Sequence, residues 1–177
     1  MGDEGGFAPN LKTSEEVLDL IILSIERAGL IYLDDMSIAL DCAASELFSE
    51  DSYKLTGENK KFSSDEMVFY MQALVDKYEI KSVEDPFDEK DWDAWKTFTK
   101  NNNDLQIVGD DIFVTQEKIL RKGIDSKVAN SILVKLNQVG TLSETMQAIS
   151  LAKNSGYETI ISHRSGETED SFIADLA

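Results

Sequence analysis

Basic residues are scarce in this chain, with 17 Lys and Arg against 34 Asp and Glu, and it has one histidine, one cysteine and two prolines in 177 residues. The net charge of −17 argues against a nucleic-acid backbone or an anionic membrane surface as partner, since both would repel it. A cation, by contrast, meets many carboxylates. With Cys42 alone no internal disulfide can form, which points to a reducing, cytoplasmic setting. No apolar run reaches the length of a membrane span, because the longest, "VLDLIILSI", is short and carries an aspartate. No basic stretch followed by an apolar core opens the sequence, so no secretory signal is expected. No Gly/Ser-rich linker divides the chain, and a 42% hydrophobic composition suffices for one ordinary core. Residues 1–177 therefore read as one domain.

What is present is an alternation of elements. Helical spacing runs over 14–28, where Val17, Leu18, Ile21, Ile22, Ile25 and Ala28 share a face and Ser14 is a plausible cap. It recurs over 64–78, in a short helix capped by Asp91 that carries Trp92, Trp95 and Phe98, over 115–122 and over 142–154. Short apolar strands are expected at 37–42, 80–84, 105–109, 132–136 and 157–161, and Thr168 is placed to open a further helix. Strand and helix alternate five times, which implies crossover connections, a parallel sheet buried on both faces and an α/β class. The polar stretch 49–64 reads as a surface loop.

Each expected strand ends in a polar residue: Asp41, Glu84, Asp110, Lys135, and His163 with Arg164. In a parallel sheet or barrel these ends share one face, where sites are built. Asp41, Glu84 and Asp110 offer hard oxygen ligands, suited to Mg²⁺ or Mn²⁺ rather than zinc or copper, and three such charges repel unless a cation offsets them. Lys135 beside a bound dication would have a lowered pKa and could serve as a base. Arg164 suits bidentate capture of a phosphate or carboxylate, and Ser165 adds a donor. A metal, a lysine base and an anion clamp together describe proton abstraction next to a carboxylate. Six of the ten glycines (Gly2, Gly5, Gly6, Gly109, Gly140, Gly166) lie in or beside these segments, and the first three flank Glu4, a second acid/base candidate.

The segments "GDEGGFAPN", "ALDCAASE", "SVEDPFDEKDW", "IVGDD", "VKLNQVGTLSE" and "SHRSGETEDSFIADLA" run in order from Gly2 to Ala177 and together resemble enolase, the phosphopyruvate hydratase of glycolysis. The resemblance implies a (β/α)8 TIM-type barrel, of which this chain holds about five strand–helix units without the N-terminal α+β domain or the last strand. It implies Mg²⁺ held by Asp41, Glu84 and Asp110, with Lys135 taking the C2 proton of 2-phosphoglycerate. Glu4 would help the C3 hydroxyl leave as water, giving phosphoenolpyruvate. Ser162, His163, Arg164 and Ser165 would contact substrate, Arg164 and Ser165 at its phosphate. The family further implies a cytoplasmic homodimer, with surface or secreted forms known. A mobile loop serving a second Mg²⁺, a second glutamate and a last-strand lysine have no counterpart here, so low activity is expected of the chain alone. The unpaired sheet edges are expected to favour self-association.

Milder readings stand beside these. Singly, Asp41, Glu84 and Asp110 also suit ordinary loop carboxylates, and Lys135 a salt bridge to one of them. A lone histidine is usually structural. Asp85 and Asp111 read as partners of the ligands, Cys42 as a small core residue, and the two tryptophans with Phe98 as helix packing. The alternative to an enzyme is a non-catalytic enolase-like chain that binds Mg²⁺ weakly or serves as an interaction module.

Overall fold

A computed structural model describes residues 1–2 and 5–177. In chain order the helices are α1 (Ser14–Arg27), α2 (Ser64–Tyr78), α3 (Trp92–Asn101), α4 (Glu117–Ser126), α5 (Leu136–Val139), α6 (Leu142–Asn154) and α7 (Phe172–Leu176). The strands are β1 (Ala39–Asp41), β2 (Phe48–Ser49), β3 (Ser52–Leu55), β4 (Lys60–Phe62), β5 (Ser82–Glu84), β6 (Gln106–Gly109), β7 (Ser131–Val134) and β8 (Glu158–Ile161). Five of them form one parallel sheet in the order β1-β5-β6-β7-β8, with helices as crossovers. The fold is α/β, a partial barrel whose edge strands β1 and β8 are each paired on one side among the described residues.

Local chemistry sets the helix ends. Ser63 closes a capping box with Glu66 at the start of α2, whose Met67, Val68, Met71, Leu74 and Val75 are buried. Thr141 caps α6 through the Glu144 N–H, and Asp91 caps α3 through the Ala94 N–H. Trp95 and Phe98 of α3 are fully buried, and both rings meet Phe87 edge-on, at 6.1 and 5.4 Å between centroids. The Trp95 indole N–H donates to the Asp88 carbonyl at 3.1 Å, so the polar end of that ring is also satisfied.

Several expectations change. Residues 49–64 are not a plain loop, because β2, β3 and β4 make an antiparallel sheet there. The cause is Tyr53, fully buried between Phe48 and Phe87, whose hydroxyl donates to Asp91 at 2.8 Å. A single aromatic anchor in a polar stretch escapes a hydropathy reading. The cap of α1 is Thr13, which accepts the Glu16 N–H. On α1 only Leu18 and Ile25 are buried, while Val17 and Ile21 stay well exposed, so its apolar face is broader than the surface it packs against. The helix expected at 115–122 begins at Glu117, because Val114 and Thr115 both take left-handed φ values and turn the chain first. Burial on both faces holds for β7 and most of β6, whereas β1 and β8 are partly exposed as sheet edges. The final helix starts at Phe172, after Thr168.

Glu58 ties these layers together. Its carboxylate accepts the Ser14 N–H and hydroxyl at 2.7 and 2.8 Å, the Tyr70 hydroxyl at 3.0 Å, and Lys60 Nζ at 2.6 Å. Burial alone would raise its pKa, but Lys60, Ser14 and Tyr70 outweigh that and hold it at about 2. A depressed carboxylate adds stability above its unfolded pKa and loses it as pH falls toward the folded one. Glu58→Gln is therefore expected to lower stability by about 1–2 kcal/mol near neutral pH. The gap to the wild type should close as pH falls from about 4.5 to about 2, read as melting temperature against pH. A gap that stays constant over that range would refute the assignment.

Candidate active site

Register brings the strand ends together. Asp41 on β1 pairs with Glu84 on β5, Glu84 with Val108 on β6, and Val134 on β7 with Ile161 on β8. Asp110, Lys135 and Ser162 then follow just past the ends of β6, β7 and β8. A cleft of about 320 Å³ opens there, lined by Asp41, Glu84, Leu133, Lys135, Ser162, His163, Arg164 and Ser165, with Asp110 behind Lys135 rather than in the lining. Two roomier hollows, about 430 and 880 Å³, lie against α1 and are lined mainly by apolar side chains, whereas the smaller cleft is lined mainly by polar and charged ones.

The acidic side is built around the turn after β6. Phe113 is fully buried, and a Cβ at Gly109 would come within 2.5 Å of its ring. Glycine there lets the turn fold back onto the strand end, which brings Asp110 over the sheet. Asp85, only 3% exposed, clamps the same turn, its two oxygens accepting the Asp110 and Asp111 N–H groups at 2.9 Å each. Asp110 forms an ion pair with Lys135 Nζ through Oδ2 and accepts Gln138 Nε2 on Oδ1 at 3.1 Å. The salt-bridge reading of Lys135 is thus what the structure holds, and its partner is one of the carboxylates singled out as ligands. Asp41 Oδ1 accepts the Ala43 N–H at 3.1 Å.

Crowding shows in the protonation chemistry. Burial, then the charges of Asp41, Asp110 and Asp85, push Glu84 up to about 7. Burial also lifts Asp85 to about 7, with the Asp111 and Asp110 N–H bonds opposing and their charges adding. Asp111 is raised by burial and by Asp110. Cys42 is pushed up to about 12 by burial and by Asp41, which makes it a poor nucleophile. Asp85, Asp110 and Asp111 can bring ligand oxygens within 4.8 Å of one another. Asp85 already spends both oxygens on backbone N–H groups, so it serves the turn better than a cation. Asp41 and Glu84, expected as ligands with Asp110, do not join that close group among the described residues, although carboxylates of this kind suit a hard divalent cation.

Beside Lys135, Ser162 N–H donates to the Val134 carbonyl at 2.9 Å, extending the ladder by one bond before the chain leaves the sheet. Its hydroxyl donates to the His163 carbonyl at 2.9 Å. His163, Arg164 and Ser165 are exposed on a turn closed by the Glu167 N–H donating to the Arg164 carbonyl at 2.9 Å. Glu4, the expected acid, lies outside the described residues. Thr115 and Gln138, which touch the Lys135–Asp110 pair, were not singled out by spacing; a polar residue one turn after the lysine was the only signal.

Comparison with known proteins matches residues 1–177 to the model of the enolase C-terminal TIM barrel domain. The chain belongs to the enolase family. It is 56% identical over 178 residues to the enolase of Legionella pneumophila strain Corby, and 55% to that of strain Paris, with all of this chain aligned. In each case it spans 42% of the relative's length. The parallel sheet and its shared edge agree with that barrel.

The raised carboxylates have a sign. Glu84 and Asp85 hold protons in the folded state at pH values where the unfolded chain has released them. Their contribution is full below the unfolded values and is lost as pH rises through about 7. A divalent cation should offset the charge left above that point. At ten times its Kd it is expected to raise the melting temperature by about 3–5 °C at pH 8, and by less at pH 5, where it must displace protons. Equal shifts at the two pH values, or none, would contradict this reading of the cleft.

Proposed function

We propose that this chain, as one domain over residues 1–177, carries the reacting centre of an enolase that interconverts 2-phosphoglycerate and phosphoenolpyruvate with Mg²⁺. The observation that supports it best is the cleft that Lys135, ion-paired to Asp110, lines together with Asp41, Glu84, His163, Arg164 and Ser165. Asp41, Glu84 and Asp110 would hold Mg²⁺. Bound there, it would offset the charge developing on the substrate carboxylate and compete with Lys135 for Asp110.

The remaining work falls to side chains. Lys135, at the end of a fully buried strand, takes the proton from C2 once it is released from Asp110 and has given up its own proton. A rigid strand end matters for this, since proton transfer needs the base within hydrogen-bonding reach. Arg164 and Ser165 grip the phosphate, with Ser162 shaping their turn, and His163 stands toward the C3 hydroxyl. Glu4 donates the proton with which that hydroxyl leaves as water, because hydroxide is a poor leaving group. A cytoplasmic, glycolytic role and a homodimer of the longer protein belong to the same proposal.

A chain with 42% of its relatives' length is expected to turn over slowly by itself. The test is turnover of 2-phosphoglycerate with Mg²⁺, followed by product absorbance, for the chain and for Lys135→Ala. The substitution should reduce any activity by at least about a hundredfold. Folded, soluble protein with no turnover in either form would favour the non-catalytic reading, a weak Mg²⁺-binding or interaction module.

A further inference from the structure

Behind the Lys135–Asp110 pair runs a short chain of hydrogen bonds with only one possible polarity. The Lys135 backbone N–H donates to Thr115 Oγ1 at 3.0 Å. Asp110, ionised in its pair with Lys135, can only accept, so it is Gln138 Nε2 that faces it, donating to Oδ1 at 3.1 Å. That leaves Gln138 Oε1 on the other side, where it accepts from the Thr115 hydroxyl. Asp110 Oδ2 meets Lys135 Nζ, which closes the ring. Thr115 is fully buried, and Gln138 sits half-buried on α5.

We propose that Gln138 is a positioning residue, its amide braced by Thr115, that fixes the rotation of the Asp110 carboxylate toward Lys135 and toward a bound divalent cation. The torsion that turns an aspartate carboxylate is broad and soft. One ion pair to a flexible lysine leaves that rotation loosely held, whereas a second donor on the other oxygen fixes the plane. The part concerning the cation rests on the reading of Asp110 as a ligand given above; the part concerning Lys135 does not. Outer partners of metal ligands typically change affinity by about 10- to 100-fold when removed.

The test uses the 177-residue chain and its Gln138→Leu, Thr115→Val and Thr115→Ser variants, with melting curves to establish folding. Two readouts are taken: free Mn²⁺ by electron paramagnetic resonance, and the acetylation rate of Lys135 in metal-free protein by peptide mass spectrometry. Gln138→Leu and Thr115→Val are expected to bind Mn²⁺ about tenfold more weakly and to be acetylated at Lys135 several-fold faster. Thr115→Ser, which keeps the hydroxyl, should restore wild-type values in both. If Lys135 of Gln138→Leu is acetylated at the wild-type rate, the proposal is overturned, whatever Mn²⁺ does. A wild-type chain that takes up no Mn²⁺ would remove the metal reading of the site, and the acetylation rates would then decide the role of Gln138 alone.

Discussion

Repulsion among carboxylates at one edge of the sheet is the constraint around which the rest is arranged. Parallel register sets Asp41 beside Glu84, and the turns that follow bring in Asp85, Asp110 and Asp111. Lys135 is the one cationic side chain ion-paired within this group among the described residues. Each carboxylate is answered differently: Asp85 by two backbone N–H groups, Asp110 by Lys135 and Gln138, and Asp41 by the Ala43 N–H. Glu84 is the least compensated, and burial with its acidic neighbours raises it to about 7. Two unit charges 4 Å apart interact by about 4 kcal/mol at an effective dielectric of about 20. Such an arrangement persists only because the surrounding core over-determines it.

That core is the reason the strained edge holds. Val83, Ile107, Ile132 and Val134 are almost wholly shielded on the central strands, and Phe87, Trp95, Phe98 and Phe113 fill the layer beside them. Phe113 links packing to chemistry, because the turn that buries its ring against Gly109 is the one that carries Asp110. Asp110 and Lys135 therefore follow the best-packed strands, β6 and β7, whereas Asp41 stands on the exposed edge strand β1. The stretch 162–165, proposed to grip an anion, follows edge strand β8 and is more exposed. Such a division suits a site that must hold Lys135 rigidly while admitting a ligand from the open side.

Most of this order was legible from strand ends alone. Asp41, Glu84, Asp110, Lys135, His163 and Arg164 were picked because apolar runs stopped at them, and the structure lines one cleft with all but Asp110, which reaches it through its ion pair with Lys135. The sequence said less where structure depends on single contacts rather than periodic ones. Tyr53 turns a polar stretch into a sheet through one buried ring, and Glu58 joins α1, β4 and α2 through four hydrogen bonds. Neither has a period to detect. Gln138 is hidden for a related reason: its partners Thr115 and Asp110 are 23 and 28 residues away, and only the left-handed turn at Val114 and Thr115 brings them back.

A chain of net charge −17 is an unpromising host for the anionic substrate proposed for it. At physiological salt, however, charges farther apart than about 8 Å are largely screened, so most of the surface carboxylates have little say at the cleft. What a ligand meets there is the local pattern, acidic on the Asp41 and Glu84 wall and basic at Arg164. A doubly anionic ligand that reaches the acidic wall only through a divalent cation is drawn in at both ends. The same ligand without the cation is repelled at one. On the proposed reading, the acidic wall therefore acts as a selectivity element, because it makes productive binding conditional on the cation that the chemistry also needs.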